Sequence, residues 1–224
     1  MQIRKDILKD AAYDLRFLLN RKYRKKGALT FVSNKYVLSM HERNYLARAI
    51  HSNFISASRM DKIVNLSQIT DQSLFIDGYN VLITLESIIR GDYDSIISCD
   101  DGVIRDINAI FGKYKCNKTT ESSLNNILSL INEYKPLNVT FLFDKQVSFS
   151  GKLANLIRNL FRVYGLEWEV TLSKNVDFEL VKLANARNGI VATSDGIIID
   201  KVNKIIDLPF YFLKKSKISI KRSF

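Results

Sequence analysis

Aspartates follow three short apolar segments of this chain, at positions where a buried strand would end. Asp77, Asp144 and Asp195 each stand at or just beyond such a segment. In an open α/β sheet, ligand sites form beyond the carboxyl ends of the strands, so we expect these carboxylates at one edge of a sheet. Gathered carboxylates suit a hard divalent cation that takes oxygen ligands. The pattern predicts metal-assisted chemistry on a phosphodiester bond.

A fourth carboxylate, that of Asp177, lies at the start of a predicted helix. Taken singly, each aspartate is more simply explained as an N-cap or as a first-turn residue that suits the helix dipole. Taken together at one edge, four carboxylates would repel one another strongly unless a cation neutralised them. No lysine or arginine is adjacent in sequence to Asp77, Asp177 or Asp195. We therefore predict a catalytic cluster of these three residues and Asp144.

The elements that must position these residues alternate between strand and helix from residue 74 onward. Short strands that alternate with helices are typical of a parallel sheet with helices on its faces. We predict an α/β fold with a doubly wound parallel sheet. The predicted strands are residues 74–77, 139–144, 168–172, 189–193 and 204–208. The predicted helices are residues 80–90, 120–134, 151–164 and 175–186.

The N-terminal part of the chain has a different pattern. Residues 1–60 show helical periodicity, which predicts a small all-helical module of three helices, the third over residues 40–57. The boundary is expected in the mixed, polar stretch that follows this module. It leaves an α/β domain at residues 73–213 and a basic tail at residues 214–224.

The net charge of +11 is distributed unevenly. Residues 1–60 hold 13 Lys and Arg against 4 Asp and Glu (+9), residues 61–213 hold 16 against 19 (−3), and residues 214–224 hold 5 against none (+5). A basic segment attached to a body with an acidic centre favours a nucleic-acid partner, although a solvated charged surface remains the alternative. The predicted nucleic-acid-binding residues are Arg21, Lys22, Arg24, Lys25, Lys26, Arg43 and Arg48.

Aromatic residues interleave with these basic residues. Tyr23 lies within the basic run and Tyr45 lies between Arg43 and Arg48, a pattern that suits a groove in which bases stack beside the phosphate backbone. In the alternative interpretation, both tyrosines belong to the core. Gly27, at the end of the run, is predicted to form a turn.

Several classes of protein do not fit the sequence. Cys99 and Cys116 match no metal-binding spacing and are too few for a secreted disulfide scaffold. No apolar run reaches membrane-spanning length, and the N-terminus lacks the apolar core of a signal peptide. We therefore expect a cytoplasmic protein with reduced thiols and no membrane partner. A homo-oligomer is left open.

The motif around Asp77 carries a family resemblance. Residues 75–80, Phe-Ile-Asp-Gly-Tyr-Asn, resemble the opening motif of the NYN branch of PIN-like nucleases. Residues 176–180 resemble the internal helix start of that branch, and residues 193–195 resemble its third acidic motif. The whole chain is also similar to an uncharacterised, largely archaeal family in which a basic helical module precedes such a domain. Residues 10–16, 19–21 and 43–44 carry this second resemblance.

The resemblance implies a PIN/NYN-like fold and a metal-dependent ribonuclease. Carried over residue by residue, Asp77, Asp177 and Asp195 would be ligands of Mg²⁺ or Mn²⁺, with Asn80 beside them. Asp144 resembles the acidic strand end of the bacterial members.

PIN-like enzymes usually place one more acid on the helix after the first strand. Glu86, Asp101 and Asp106 are alternatives for that position, the last two within the long connection of residues 91–119. Whether Asp200 belongs to the site stays open. The hydroxyls of Thr193 and Ser194 would position water or hold a metal-bound carboxylate.

We therefore predict a metal-dependent ribonuclease that cleaves RNA phosphodiester bonds at an aspartate cluster. The alternative is a non-catalytic RNA- or ribosome-binding protein that retains the PIN-like fold. A phosphohydrolase of the haloacid-dehalogenase type would need Asp-x-Asp at its first strand end, and Tyr79 occupies the second aspartate position.

Overall fold

The structure is a computed structural model that describes residues 4–108, 114, 116–216, 218 and 220–222. In chain order the helices are α1 (Lys5–Asn20), α2 (Lys25–Lys35), α3 (Met40–Ala49), α4 (Asn53–Met60), α5 (Gly78–Ile89), α6 (Lys118–Glu133), α7 (Ser150–Tyr164), α8 (Val176–Arg187), α9 (Gly196–Lys201) and α10 (Leu208–Lys215). The strands are β1 (Ser73–Asp77), β2 (Ile96–Ser98), β3 (Ile104–Asp106), β4 (Asn138–Asp144), β5 (Glu169–Ser173), β6 (Ile190–Ala192), β7 (Ile205–Ile206) and β8 (Lys221–Arg222). Short 3₁₀ turns span Leu66–Ile69 and Tyr93–Ser95.

The chain folds into two compact units. The helical unit comprises Met1–Asp61, Tyr93–Ala109 and Ser219–Phe224. The sheet unit comprises Lys62–Asp92 and Ile110–Ile218. In the described part of the chain, no helix combines the length and the apolar character needed to cross a bilayer.

The helical unit is built on the apolar face of α1. Leu8, Ala11, Ala12 and Leu15 recur at helical spacing and are fully buried against α2 and α3. A capping box starts α3: the Ser39 hydroxyl accepts a hydrogen bond from the Glu42 backbone N–H, and the Glu42 carboxylate accepts one from the Ser39 N–H.

Two local predictions for this unit are wrong. Residues 40–57 form two helices instead of one, because Ser52 caps a new helix by accepting a hydrogen bond from the Ile55 backbone N–H at 3.3 Å. Gly27 lies inside α2 and forms no turn. The chain turns earlier, at Lys22, which adopts a positive φ of 66°.

The helical unit also contains a hairpin that the sequence does not reveal. Within residues 91–119, β2 and β3 pair antiparallel, with Ile96 opposite Asp106, and β8 joins β2 in parallel. The segment Tyr93–Ala109, which contains the hairpin, brings four aspartates into the unit. The helical unit therefore holds 16 Lys and Arg against 9 Asp and Glu (+7), and the sheet unit holds 18 against 14 (+4).

The sheet unit confirms the predicted α/β class with a parallel sheet, and the chain has the predicted helical N-terminal region. Its five strands are all parallel in the order β5-β4-β1-β6-β7. The central strand β1 is buried along its whole length. Leu74, Phe75 and Ile76 are fully buried, and the neighbouring β4 adds Phe141 and Phe143. The chain winds outward from β1 in both directions, to β4 and β5 on one side and to β6 and β7 on the other.

Candidate active site

The candidate site lies at the carboxyl ends of β1, β4 and β6. Strand order changes direction between β1 and β6, and the crevice beyond such a point is where open α/β sheets bind ligands. Asp77 is the last residue of β1, and Asp195 follows β6 by three residues. Sequence reasoning predicted both placements from the apolar runs that precede the two aspartates.

Asp77 is buried, and its charge is poorly compensated. The Thr193 hydroxyl donates a hydrogen bond to Asp77 Oδ2 at 2.8 Å. Burial nevertheless raises the pKa of Asp77 to about 7, and the nearby charges of Asp195 and Asp177 act in the same direction. This carboxyl group therefore stands near its titration midpoint at neutral pH. A cation at the site would favour its ionised form.

Gly78 lets α5 begin directly after Asp77. A Cβ atom at this position would lie 2.3 Å from Cε1 of Phe143, which is closer than any real contact. The missing side chain brings the first turn of α5 against β4. Asp77 is thereby held at the junction of strand and helix.

The segment after β6 is tied to Asp77 and to α5 by side-chain hydrogen bonds. The Thr193 hydroxyl accepts from the Asp195 backbone N–H at 3.0 Å while it donates to Asp77. Asn80 Oδ1 accepts from both the backbone N–H and the hydroxyl of Ser194. Asp195 caps α9, with Oδ1 accepting from the Ile197 N–H at 2.6 Å. Thr193 and Ser194 therefore fix the relative positions of Asp77, Asn80 and Asp195.

Asp177 and Asp144 extend the acidic group. The pKa of Asp177, in the first turn of α8, is raised by burial and by the charges of Asp195 and Asp144, while Lys201 opposes the shift. Asp144, at the end of β4, accepts a hydrogen bond from the Gln146 backbone N–H at 2.7 Å. Asp77, Asp177 and Asp195 thus interact electrostatically, and Asp144 acts on Asp177.

A cavity of about 570 Å³ opens beside these carboxylates, and we call it the acidic cavity. Its size is typical of a small-ligand site. Its lining residues are Asp77, Tyr79, Leu142, Asp144, Gln146, Val147, Lys174, Asn175, Val176, Asp177 and Phe178. Asp195 is absent from this lining and acts on the cavity through its charge. Sequence reasoning assigned no role to Tyr79, Gln146 or Lys174, and only the position of Tyr79 beside Asp77 could have pointed to it.

The donor set of the site fits a hard cation in its chemistry. Asp77, Asp177, Asp195 and Asn80 offer carboxylate and carboxamide oxygens, which Mg²⁺ and Mn²⁺ accept as ligands. Burial and the neighbouring carboxylates raise the pKa values of Asp77 and Asp177, and the charge of Lys201 only partly offsets this at Asp177. Among the described residues, no three His, Cys, Asp or Glu side chains already form a group that could hold a metal ion.

The candidates for a further acid lie elsewhere. The Glu86 carboxylate accepts hydrogen bonds from the Tyr114 and Thr120 hydroxyls and pairs with Arg90 at 3.4 Å. Asp101 and Asp106 belong to the helical unit.

In the helical unit, both acids have partners of their own. Asp101 binds Arg59 at 2.8 Å and Arg105 at 2.6 Å. Asp106 accepts from the Asn108 backbone N–H at 2.6 Å. These contacts account for both residues as structural groups.

The predicted basic residues divide into two groups. Arg21, Lys22, Arg24 and Lys26 are exposed, and the Arg21 guanidinium lies 4.5 Å from the centre of the Phe17 ring. The remaining three residues, Lys25, Arg43 and Arg48, make contacts within the helical unit.

Lys25 Nζ donates to the Ile50 carbonyl at 2.8 Å, and burial, with the charges of Arg105 and Arg59, lowers the pKa of Lys25 to about 8. Arg43 donates to the Leu38 carbonyl and Arg48 to the Asp106 carbonyl. Tyr45 belongs to the core, whereas Tyr23 is 59% exposed. Of the residues predicted to bind nucleic acid, the four exposed basic residues, together with Tyr23, are accessible to a ligand.

Comparison with known proteins places the chain in a family. A model described as a domain of unknown function, DUF5616, matches residues 66–211, and a model described as a protein of unknown function, DUF434, matches residues 7–62. The chain is 37% identical over 203 residues to the uncharacterized protein MJ0935 of Methanocaldococcus jannaschii. The matched region covers 90% of this chain and 94% of that relative. No solved structure matches the chain. Because the first model spans well over half of the chain, the protein belongs to the DUF5616 family.

Proposed function

We propose that the protein is a divalent-metal-dependent ribonuclease that cleaves RNA at the aspartate cluster of the sheet unit. One observation carries this proposal. Asp77 is buried at the point where strand order changes, and its pKa is raised to about 7 beside two further carboxylates. Burial and the neighbouring carboxylates outweigh the hydrogen bonds that Asp77 accepts from Thr193 and from the Asn80 backbone, and a buried carboxyl group with such a raised pKa at a cavity is a candidate for function.

The residues of the site divide the chemical work. Asp77, Asp177 and Asp195 would hold the metal ion, with the Asn80 carboxamide beside them, and Thr193 fixes the orientation of the Asp77 carboxylate. A bound Mg²⁺ or Mn²⁺ would activate water and stabilise negative charge on the leaving oxygen. Asp144 lines the same cavity and offers a carboxylate that can accept a proton. Lys174, also in the lining, can neutralise an RNA phosphate.

The exposed basic residues of the helical unit supply affinity for RNA in this proposal. Arg21, Lys22, Arg24 and Lys26 face solvent together with Tyr23. Lysine and arginine side chains that contact phosphates release counterions, and an exposed aromatic ring can stack on a base. This assignment replaces the larger set of seven basic residues, because three of them already serve the fold.

The experiment is a cleavage assay on the purified full chain with single-stranded and structured RNA. We expect cleavage in Mg²⁺ or Mn²⁺, none in a chelator, and a loss of roughly 100-fold or more in Asp77→Asn and Asp195→Asn. The matched control is Glu121→Gln, which removes an exposed carboxylate on α6 and should cleave as the wild type does. Equal rates for Asp77→Asn and the wild type would refute the assignment.

A second candidate is a non-catalytic RNA-binding protein. The absence, among the described residues, of a ready group of three metal-binding side chains favours it, and so does the use of Glu86 within the fold. This candidate predicts salt-dependent RNA binding by the wild type, no cleavage in either metal, and no change of binding in Asp77→Asn.

A further inference from the structure

Tyr79 lines the acidic cavity, and its hydroxyl oxygen is buried without a hydrogen-bond partner among the described residues. The residue as a whole is 6% exposed. Buried polar groups are almost always hydrogen-bonded, so an exception at a residue that lines a cavity suggests that a ligand supplies the missing partner.

The ring of Tyr79 is held firmly in place. It makes edge-to-face contacts with Phe143 and Tyr114, with ring centres 5.0 and 5.2 Å apart. A tyrosine hydroxyl carries its proton at neutral pH, so that of Tyr79 can act as a hydrogen-bond donor.

The rest of the cavity lining is suited to a flat, partly apolar group with polar edges. Val147 and Val176 supply apolar surface, and Gln146 supplies a carboxamide that can donate and accept. Phe178 belongs to the same lining and is 67% exposed, so its ring can stack against a planar ligand. Such a mixture of apolar walls and a few directed polar groups is typical of small-molecule sites.

On the basis of the ribonuclease function above, we propose that the acidic cavity seats a nucleobase of the substrate and that the Tyr79 hydroxyl donates a hydrogen bond to this base. Phe178 stacks on the same base. Because nucleobases present carbonyl oxygens and ring nitrogens at their edges, they offer the acceptor that Tyr79 lacks. A base held next to Asp77 and Asp177 places the adjoining phosphate beside the carboxylates. Tyr79 is then a positioning residue for RNA.

The experiment measures binding of uncharged nucleosides to the metal-free full chain by NMR. The probes are adenosine, guanosine, cytidine and uridine, with methyl riboside as the probe that lacks a base. Neutral probes avoid repulsion by the carboxylates, so binding is measured independently of both metal and cleavage. We expect at least one nucleoside to shift resonances of the cavity residues and methyl riboside to shift none.

The variant Tyr79→Phe removes only the hydroxyl. We expect it to bind the preferred nucleoside roughly fivefold more weakly, because one hydrogen bond is lost. Its melting temperature should be equal to or higher than that of the wild type, since no bond within the protein is broken. The matched control, Tyr114→Phe, loses hydrogen bonds to Glu86 and Thr120 and should melt lower while its nucleoside affinity is unchanged.

The outcomes separate this inference from the proposed function. Equal nucleoside affinity in Tyr79→Phe and the wild type overturns the inference, as does binding of methyl riboside as tight as that of a nucleoside, or no binding at all. If RNA is cleaved but any of these results is found, the nuclease stands without the base site. If nucleosides bind through Tyr79 and RNA is not cleaved, the base site stands and the nuclease fails.

Discussion

The two units each bury an aspartate, and the two aspartates have opposite electrostatic surroundings. In the helical unit, burial alone would raise the pKa of Asp101, but hydrogen bonds and charge from Arg105, with His51 and Arg59, hold it well below its usual range. In the sheet unit, burial raises the pKa of Asp77 to about 7, and Asp195 and Asp177 reinforce the shift. A buried carboxylate among cations is explained by the fold. A buried carboxylate among carboxylates requires another explanation, and metal binding is the one that we propose.

The largest effect expected from this comparison is on the stability of the helical unit. Asp101→Asn should lower the free energy of unfolding by about 3–5 kcal/mol, because it breaks a buried ion-pair group and leaves two guanidiniums without this carboxylate. The measurement is urea denaturation. A loss below about 1 kcal/mol would mean that Asp101 contributes no more than a surface ion pair does. The electrostatic difference between Asp101 and Asp77 would then be refuted.

Asp77→Asn should have the opposite effect and raise the free energy of unfolding. The wild-type carboxyl has a folded pKa of about 7, above its unfolded value, so the folded state holds the proton more tightly. Stability is therefore lost as the pH rises from the unfolded pKa near 4 toward 7. An asparagine removes this loss, and we expect a gain of up to about 4 kcal/mol at pH 7.5 without metal, shrinking toward zero near pH 4.

The matched measurement is chemical denaturation of both proteins across this pH range in a chelator. Asn keeps an oxygen that can accept from Thr193, so the comparison isolates the charge. A variant that is less stable than the wild type at pH 7.5 would show that Asp77 serves the fold.

The exposed basic residues allow a test with a built-in control. Replacing Arg21, Lys22, Arg24 and Lys26 together by Ala should reduce the slope of log affinity against log salt by up to ~3 for single-stranded RNA, because each phosphate contact contributes about 0.7. Lys25→Ala should leave the slope unchanged, since its ammonium group serves the Ile50 carbonyl. The same slope in the fourfold variant and the wild type would show that these residues do not contact RNA.

The smallest effect concerns Glu86. Glu86→Gln should leave RNA cleavage within about twofold of the wild-type rate, because the carboxylate is committed to Tyr114 and Thr120. Its stability should fall modestly, since an acceptor of charge-assisted hydrogen bonds is replaced by a neutral amide. A loss of cleavage as large as that of Asp77→Asn would add Glu86 to the catalytic residues.

The sequence predicts the strand-end aspartates well because local rules govern them. An apolar run followed by a polar residue defines the end of a buried strand, and parallel strands share one carboxyl edge. Asp77, Asp144 and Asp195 therefore needed no knowledge of distant contacts. Asp177 was found in the same way, from its place at a helix start.

The roles of Asp101 and Tyr79 depend on partners that sequence spacing does not reveal. Asp101 pairs with Arg59, which lies 42 positions earlier in the sequence. The two residues meet only because the β2–β3 hairpin packs in the same unit as α4. The Tyr79 hydroxyl is notable because it lacks a hydrogen-bond partner among the described residues, which depends on its three-dimensional surroundings. The helix break at Ser52 was missed because apolar periodicity on its two sides hides a capping residue.

The most direct test of the central contrast is an NMR titration of the Asp77 carboxyl group with and without Mg²⁺. Without the metal, we expect a pKa of about 7. With saturating Mg²⁺, the pKa should fall by about one unit or more, because a nearby cation favours the ionised carboxylate. A pKa that is the same in both conditions would contradict the assignment of this aspartate cluster as a metal site.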